Sequence, residues 1–241
     1  MSTDKSRQEA QPAFVLHSYP YRETSLVVEI FSRHFGRVAL VARGAKRPKS
    51  AVRAVLMAFQ PLLLSWFGKA ELRTLHAAEW QGGQPQLQGT ALLCGFYLNE
   101  LLVKLLPRDD PHENLFDYYL ATLQQLASSK DHSAILRRFE IKLLQELGYA
   151  MLLDHDVRSS LPVIEDKSYH YIVEQGPVLA SAKSTDGVTV DGKTLLNMAA
   201  DNYADPVTVH QSKLLMRLLL NHYLGNQVLH TRQILKDLQQ L

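Results

Sequence analysis

The apolar pattern of this chain changes from a strand period to a helix period at residues 80–90, and that change limits the possible folds more than any other feature. Before it, apolar residues come in short β-prone runs: Ala13 to Ser18, Thr24 to Phe31, Arg37 to Arg43, Pro61 to Phe67 and Glu71 to His76. Five such runs within about 65 residues, separated by turn signals, predict a small barrel or sandwich. An oligonucleotide-binding (OB) barrel fits best, because it needs five strands and carries charge on its loops. Residues 80–90 are rich in Gly, Gln and Pro and read as a linker.

Beyond the linker the period becomes helical. Thr90 to Leu106 places Leu93, Tyr97, Leu101 and Leu105 on one stripe, widened by Leu98 and Leu102. A second helix is expected to open at Asp110-Pro111, with Asp110 as cap and Pro111 in the first turn. A third should begin near Asp131 or Ser133 and stop at Gly148. Periodicity then fades from Tyr149 to Gly192, where β-like pieces alternate with Gly-containing turns. Two helical segments close the chain, the longer opened by Asp205-Pro206 and ended by Gly225. The expected fold class is α+β and multi-domain: a flexible lead (1–12), a five-stranded OB barrel (13–80), and an α-helical domain (90–241) with a small irregular β insertion (149–192).

Charge is distributed as unevenly as period. Residues 1–81 carry 12 Lys and Arg against 6 Asp and Glu, while the rest carries 14 against 18. From Ile30 to Ala70 there is no acid at all. Within or beside that span lie Arg37, Arg43, Lys46, Arg47, Lys49, Arg53, Lys69 and Arg73, densest where Gly44 and Pro48 break the third β-prone run. A strand feeding a cationic loop suits a polyanion, which makes these eight residues the candidate nucleic-acid contacts. Among nearby aromatics, Trp66 keeps register with Leu62 and Leu64 and is expected in the core. Tyr19, Tyr21 and Phe35 lie at turns and are the candidate base-stacking residues.

Chemistry other than binding finds little support. Cys94 is the only cysteine, so an intrachain disulfide and any multi-cysteine zinc site are excluded. Gly187 to Thr194 matches the phosphate-loop pattern G-x-x-x-x-G-K-[ST], yet Val188, Thr189 and Val190 prefer extended backbone. That segment is expected to be a strand, a turn and a helix start. Asp154, His155 and Asp156 are too close in sequence to make a metal site unaided, as are Asp109, Asp110 and His112. No catalytic, metal or cofactor-binding residue is assigned. No apolar run is long enough to span a membrane, and the polar start lacks a signal-peptide core, so a cytoplasmic protein is expected.

Taken together, Ala13 to Ser18, Glu23 to Leu26, Gly36-Arg37-Val38, Val41 to Ala45, Pro61 to Leu64, Leu72 to Leu75, Tyr97 to Leu102, Leu136 to Glu140 and Leu147-Gly148-Tyr149 resemble the bacterial RecO family of recombination-mediator DNA-repair proteins. The resemblance implies an OB barrel and a helical domain that bind single- and double-stranded DNA and anneal complementary strands. It also implies a mediator role at the nucleoid, loading recombinase together with RecR onto DNA coated with single-stranded-DNA-binding protein, and capture of that protein's acidic C-terminal tail. Arg137, Arg138 and Lys142 on one helix, with Leu98, Leu101 and Leu102 on another, are the candidate tail-binding residues. Many relatives carry four zinc-binding cysteines after Leu-Gly-Tyr. Here Asp154, His155 and Asp156 stand in that region, which suits a zinc-less branch. Two other readings stay open: an RNA-binding OB module, and a nucleotide-binding enzyme using Gly187 to Thr194.

Overall fold

Five strands, β1 (Arg7–Tyr21), β2 (Ser25–Ser32), β3 (Gly36–Ala42), β4 (Leu62–Phe67) and β5 (Leu72–Trp80), close into an OB-like barrel in the order β1-β2-β3-β5-β4. The computed structural model describes residues 7–180 and 187–238. β3 and β5 pair in parallel; the other neighbours are antiparallel. β1 starts at Arg7, so residues 7–12 of the expected lead are strand, and pair with β4; residues 1–6 lie outside the described residues.

Inward-facing Val15, Val28, Ile30, Leu40, Leu62, Leu64 and Trp66 fill the barrel. Trp66 is fully buried, as its register with Leu62 and Leu64 requires. Fully burying an aliphatic side chain of this kind contributes about 1.5–3 kcal/mol, so these positions dominate barrel stability. The run Ala13-Phe14-Val15-Leu16 is buried throughout because β1 is covered on both faces. Phe14 and Phe31 point out of the barrel and pack on Phe116 at ring distances of 5.3 and 5.4 Å.

Phe116 belongs to α3 (Glu113–Ser128), which follows α2 (Gly89–Leu105). A β-bulge near Leu16 interrupts the β1–β2 ladder. The buried Asn99 amide of α2 fills that gap, donating to the carbonyls of Val15 and Leu16, and Tyr119 donates its hydroxyl to Asn99. Burial pushes the Tyr119 phenol far above its ordinary pKa, so it remains a donor at any physiological pH. α3 begins three residues later than the expected cap at Asp110. The reason is that the preceding segment is bound to the barrel. Asp109 donates its backbone N–H to the Arg37 carbonyl, and a Cβ on Gly36, which has positive φ, would overlap the Asp110 carbonyl.

Compactness divides the chain differently from composition. One unit holds the residues up to Lys130 together with those from Leu229; the other runs from Asp131 to Val228. The first unit therefore contains the barrel, a short unexpected helix α1 (Ala51–Val55), α2, α3 and the last helix, α7 (His230–Leu238). Glu100 of α2 caps α7 by accepting the backbone N–H groups of His230 and Thr231 at 2.8 and 2.9 Å.

The second unit holds α4 (His132–Glu146), the strands β6 (Ser168–Ile172), β7 (Gly176–Leu179) and β8 (Val188–Asp191), then α5 (Gly192–Ala199) and α6 (Pro206–Leu224). The strands form a sheet in the order β7-β6-β8. Asp205 caps α6, Pro206 occupies its first turn and Gly225 ends it with positive φ, as the sequence predicts. No helix of the described residues is long and apolar enough to cross a membrane.

Candidate nucleic-acid interface

The chain leaving β3 turns at Gly44 and forms a loop held close to the barrel. Ala45 is buried in the core, Lys46 donates its backbone N–H to the Thr24 carbonyl at 2.9 Å, and successive turns close from Arg47 to Gly44 and from Ser50 to Arg47. Ser50 then caps α1, accepting from the Arg53 backbone N–H. Anchored in this way, the loop presents Arg43, Lys46, Arg47 and Lys49, and α1 presents Arg53, as exposed side chains. Among the described residues none of the five makes an ion pair, and neither does the exposed Lys69 in the β4–β5 turn. Lys46 Nζ reaches the Arg22 carbonyl at 3.5 Å.

Beside the loop lies an open groove of about 800 Å³. Its walls are the β1–β2 turn with Tyr21 and Arg22, the loop with Arg43 and Arg47, and the start of β5 with Leu72 and Thr74. Arg22 stands over the Tyr21 ring at 5.2 Å and adds a further cation to this groove. Sequence reasoning missed it because Glu23 follows and the acid-free span begins only later. Its signal was its place in a tight turn between two strands that pair directly.

Arg37 and Arg73 are placed differently from the loop cations. Arg37 donates to the Leu106 carbonyl at 2.9 Å and pairs with the buried Glu29 at 3.3 Å, while Arg108 takes the other Glu29 oxygen at 2.6 Å. Arg73 pairs with Asp109 at 2.6 Å. Arg33, also within the acid-free span, grips Asp117 through two parallel bonds of 3.0 and 2.9 Å and meets Glu113 at 2.8 Å. The hydrogen bonds from Arg33 hold the Asp117 carboxyl below the usual carboxylate range. Acids absent from the local sequence thus arrive from Glu29 and from the segment after α2.

Of the expected stacking aromatics, Tyr21 lines the groove. Phe35 packs edge-on against Trp66 at 5.4 Å, and Tyr19 sits beside His17 at 4.4 Å, away from the groove.

Two family patterns together span nearly all of this architecture. One, described as Recombination protein O N terminal, matches residues 7–83; the other, Recombination protein O C terminal, matches residues 86–233. The chain belongs to the RecO family. A protein of Nitrosospira multiformis named DNA repair protein RecO is 61% identical over 100% of both chains. Proteins of the same name from an Azoarcus species and from Thiobacillus denitrificans are 55% and 50% identical, covering 98% and 100% of this chain and 99% and 96% of their own.

In this RecO-family chain the tail-binding candidates fall in different environments. Leu98, Leu101 and Leu102 are fully buried where α2 packs on β1 and α3, and so present no surface to a ligand. Arg137 is buried and bonds the fully buried Glu140 at 2.7 Å. Lys142 pairs with Glu146 at 2.7 Å. Arg138 is more open: it bonds Asp201 at 2.7 Å and lies 5.5 Å from the centre of the Tyr203 ring, whose phenol pKa is pushed up to about 12 by burial.

The phosphate-loop match takes the form expected from its β-branched residues. β8 pairs with β6 and leads directly into α5. The backbone N–H groups that would wrap a phosphate are already donated, from Gly192 to Lys167 and from Lys193 to Glu165, and the Thr194 hydroxyl donates to Gln211 at 2.7 Å. A Cβ at Gly192 would overlap the Ile164 carbonyl, so this glycine serves close packing.

The donor set near Tyr149 does not fit a four-cysteine zinc site. Asp154 pairs with His155 at 3.0 Å. Asp156 is buried, and its two oxygens accept backbone N–H groups from Arg158, Ser159 and Leu179 at 2.8, 2.9 and 2.6 Å. Burial works to raise the Asp156 carboxyl, but these N–H groups outweigh it and hold the pKa below the usual value.

Proposed function

We propose that this protein is a DNA-repair and recombination mediator that binds DNA through the barrel and brings complementary strands together. The observation that carries the reading is the anchored loop and α1 with Arg43, Lys46, Arg47, Lys49 and Arg53, exposed and without ion pairs among the described residues, beside a groove that adds Arg22 and a single acid, Glu23. Lys69 extends the same charge at the β4–β5 turn. These cations neutralise phosphates and release counterions, which gives salt-sensitive and sequence-tolerant binding to single and double strands. Neutralised strands approach one another, and base pairing supplies the specificity. No covalent step is required. Arg37 and Arg73 hold the loop's support in place and would reach nucleic acid only by giving up their acids.

Family membership supports the partners: RecR, and the acidic tail of single-stranded-DNA-binding protein. Such a tail offers carboxylates, and Arg138 is the side chain best placed to exchange Asp201 for one of them. Arg137 and Lys142 would meet a tail only by giving up Glu140 and Glu146. A role on DNA supports a location in the cytoplasm, at the nucleoid.

The test is a titration of fluorescent single-stranded DNA across a salt series, with and without ATP, followed by annealing of complementary oligonucleotides. The expected result is affinity that falls linearly with the logarithm of salt, no effect of ATP, and accelerated annealing. Absence of DNA binding at low salt would contradict the reading. A consistent preference for RNA would favour the RNA-binding module instead.

A further inference from the structure

We infer that Phe67 and His76, on the outer face of β4 and β5, form a stacking platform for an unpaired nucleobase. The inference rests on the proposed DNA binding and adds to it a subsite that recognises bases rather than phosphates.

The geometry begins with Thr74, which lines the cationic groove. Its Cα partner across the β4–β5 ladder is Phe67, so the two side chains share one face of the barrel wall. The next residues of β5 break the ladder. Trp66 pairs with Leu75 and Ser65 with Ala77, leaving His76 as the extra residue of a β-bulge. A bulge re-aims the side chain it inserts. Here it brings the His76 ring to 6.4 Å from the Phe67 ring, edge to face, with both residues exposed on the surface. Phe67 is 42% exposed and Leu72, also lining the groove, is 37% exposed.

Alternation along β4 puts Phe67 outside because Trp66 is inside, and there Phe67 shares the outer face with His76 and the exposed Leu72 instead of standing alone. The surroundings of the ring suit one ligand. Across the β1–β4 ladder Phe67 faces Arg7, itself paired with Glu9; Lys69 lies two residues away in the β4–β5 turn, and the groove at Thr74 carries three cations, Arg22, Arg43 and Arg47, against one acid, Glu23. A flat apolar face next to cations without ion pairs matches a base joined to its phosphates. Stacking tolerates any base, and it requires that the base be unpaired. The platform therefore favours single strands over duplex, which the phosphate-binding loop alone does not do.

The test uses the full chain and compares Phe67→Ala with the unsubstituted protein on a single-stranded oligonucleotide and on a duplex of equal length. Loss of one base stack lowers single-strand affinity by about five- to a hundredfold, leaving duplex affinity and the salt slope unchanged. A second variant, Phe67→Trp, gives a direct readout: its fluorescence is quenched by the single strand and not by the duplex. Unaltered single-strand affinity with no quenching would overturn the proposal. Equal loss for both forms would also overturn it, and would assign this surface to general DNA or protein contact. If the unsubstituted protein bound no DNA, the proposed function itself would fail, which is a separate result.

Discussion

The acid-free span contains two sets of cations that look alike in sequence and differ in the fold. Arg33 and Arg37, at its start, meet Glu29, Glu113 and Asp117 and become part of the structure. Arg43, Lys46, Arg47, Lys49 and Arg53, at its centre, meet no acid among the described residues. The difference comes from topology. β2 and β3 pair side by side, which sets Glu29 near Arg37, and the segment after α2 returns along Gly36 with its own acids. The loop after β3 projects beyond the reach of both. Local charge therefore states how many cations a segment has, and the return path of the chain decides which remain available to a ligand.

If that division is correct, damage to the first set should appear as reduced stability and damage to the second as weakened binding. The largest stability effect is expected for Arg37→Ala. It removes one of the two cations on buried Glu29 and the bond to the Leu106 carbonyl while Arg108 stays in place, a loss of about 2–3 kcal/mol, below that of a fully unpaired buried charge. Urea denaturation measures this, and the salt slope of the remaining folded protein should stay near the original.

Asp156→Ala should cost about 2 kcal/mol, because three backbone donors are deprived of a charged acceptor in a buried turn. The pH dependence follows from the lowered carboxyl pKa. Asp156 stabilises the fold fully above its unfolded value of about 3.9, and the contribution disappears as the pH falls through the lower folded value. Asp156→Ala should therefore flatten the acid limb of a melting-temperature profile and leave the profile at pH 6–8 parallel to the original.

Arg33→Ala should have a smaller effect still, shifting the urea midpoint little, since its carboxylates lie at the surface and are screened by water and salt. Lys193→Ala should change neither stability nor DNA binding, and calorimetry should detect no magnesium-dependent ATP binding. Micromolar ATP binding abolished by this change would restore the enzyme reading.

The barrel was legible because its strands are short, β-branched and separated by turn residues, and Trp66 could be placed by register with Leu62 and Leu64. α6 was legible to the residue through Asp205, Pro206 and Gly225. The start of α3 was not, because Asp110 has the composition of a cap but is bound by its backbone against Gly36, a contact between residues more than 70 apart. The same limit explains Arg37 and Arg73: their partners are set by strand pairing and by the chain's return after α2, and neither can be read from local charge. Leu98, Leu101 and Leu102 have the periodicity of a helix stripe. Periodicity tells which face is apolar and does not tell whether protein or ligand covers it.

The central claim is that the cations without ion pairs are the DNA contacts. It is tested most directly by the salt dependence of single-stranded DNA affinity for the unsubstituted protein, for Lys46→Ala, Arg47→Ala and Lys49→Ala combined, and for Arg37→Ala. The combined variant should keep its fold and flatten the slope of log affinity against log salt by up to about two to three units, roughly 0.7–0.9 for each phosphate left without its cation. Arg37→Ala should change that slope by less than about one unit, since a paired arginine releases no counterion on binding. A folded triple variant with the original slope, or a flatter slope from Arg37→Ala than from the loop variant, would contradict the account.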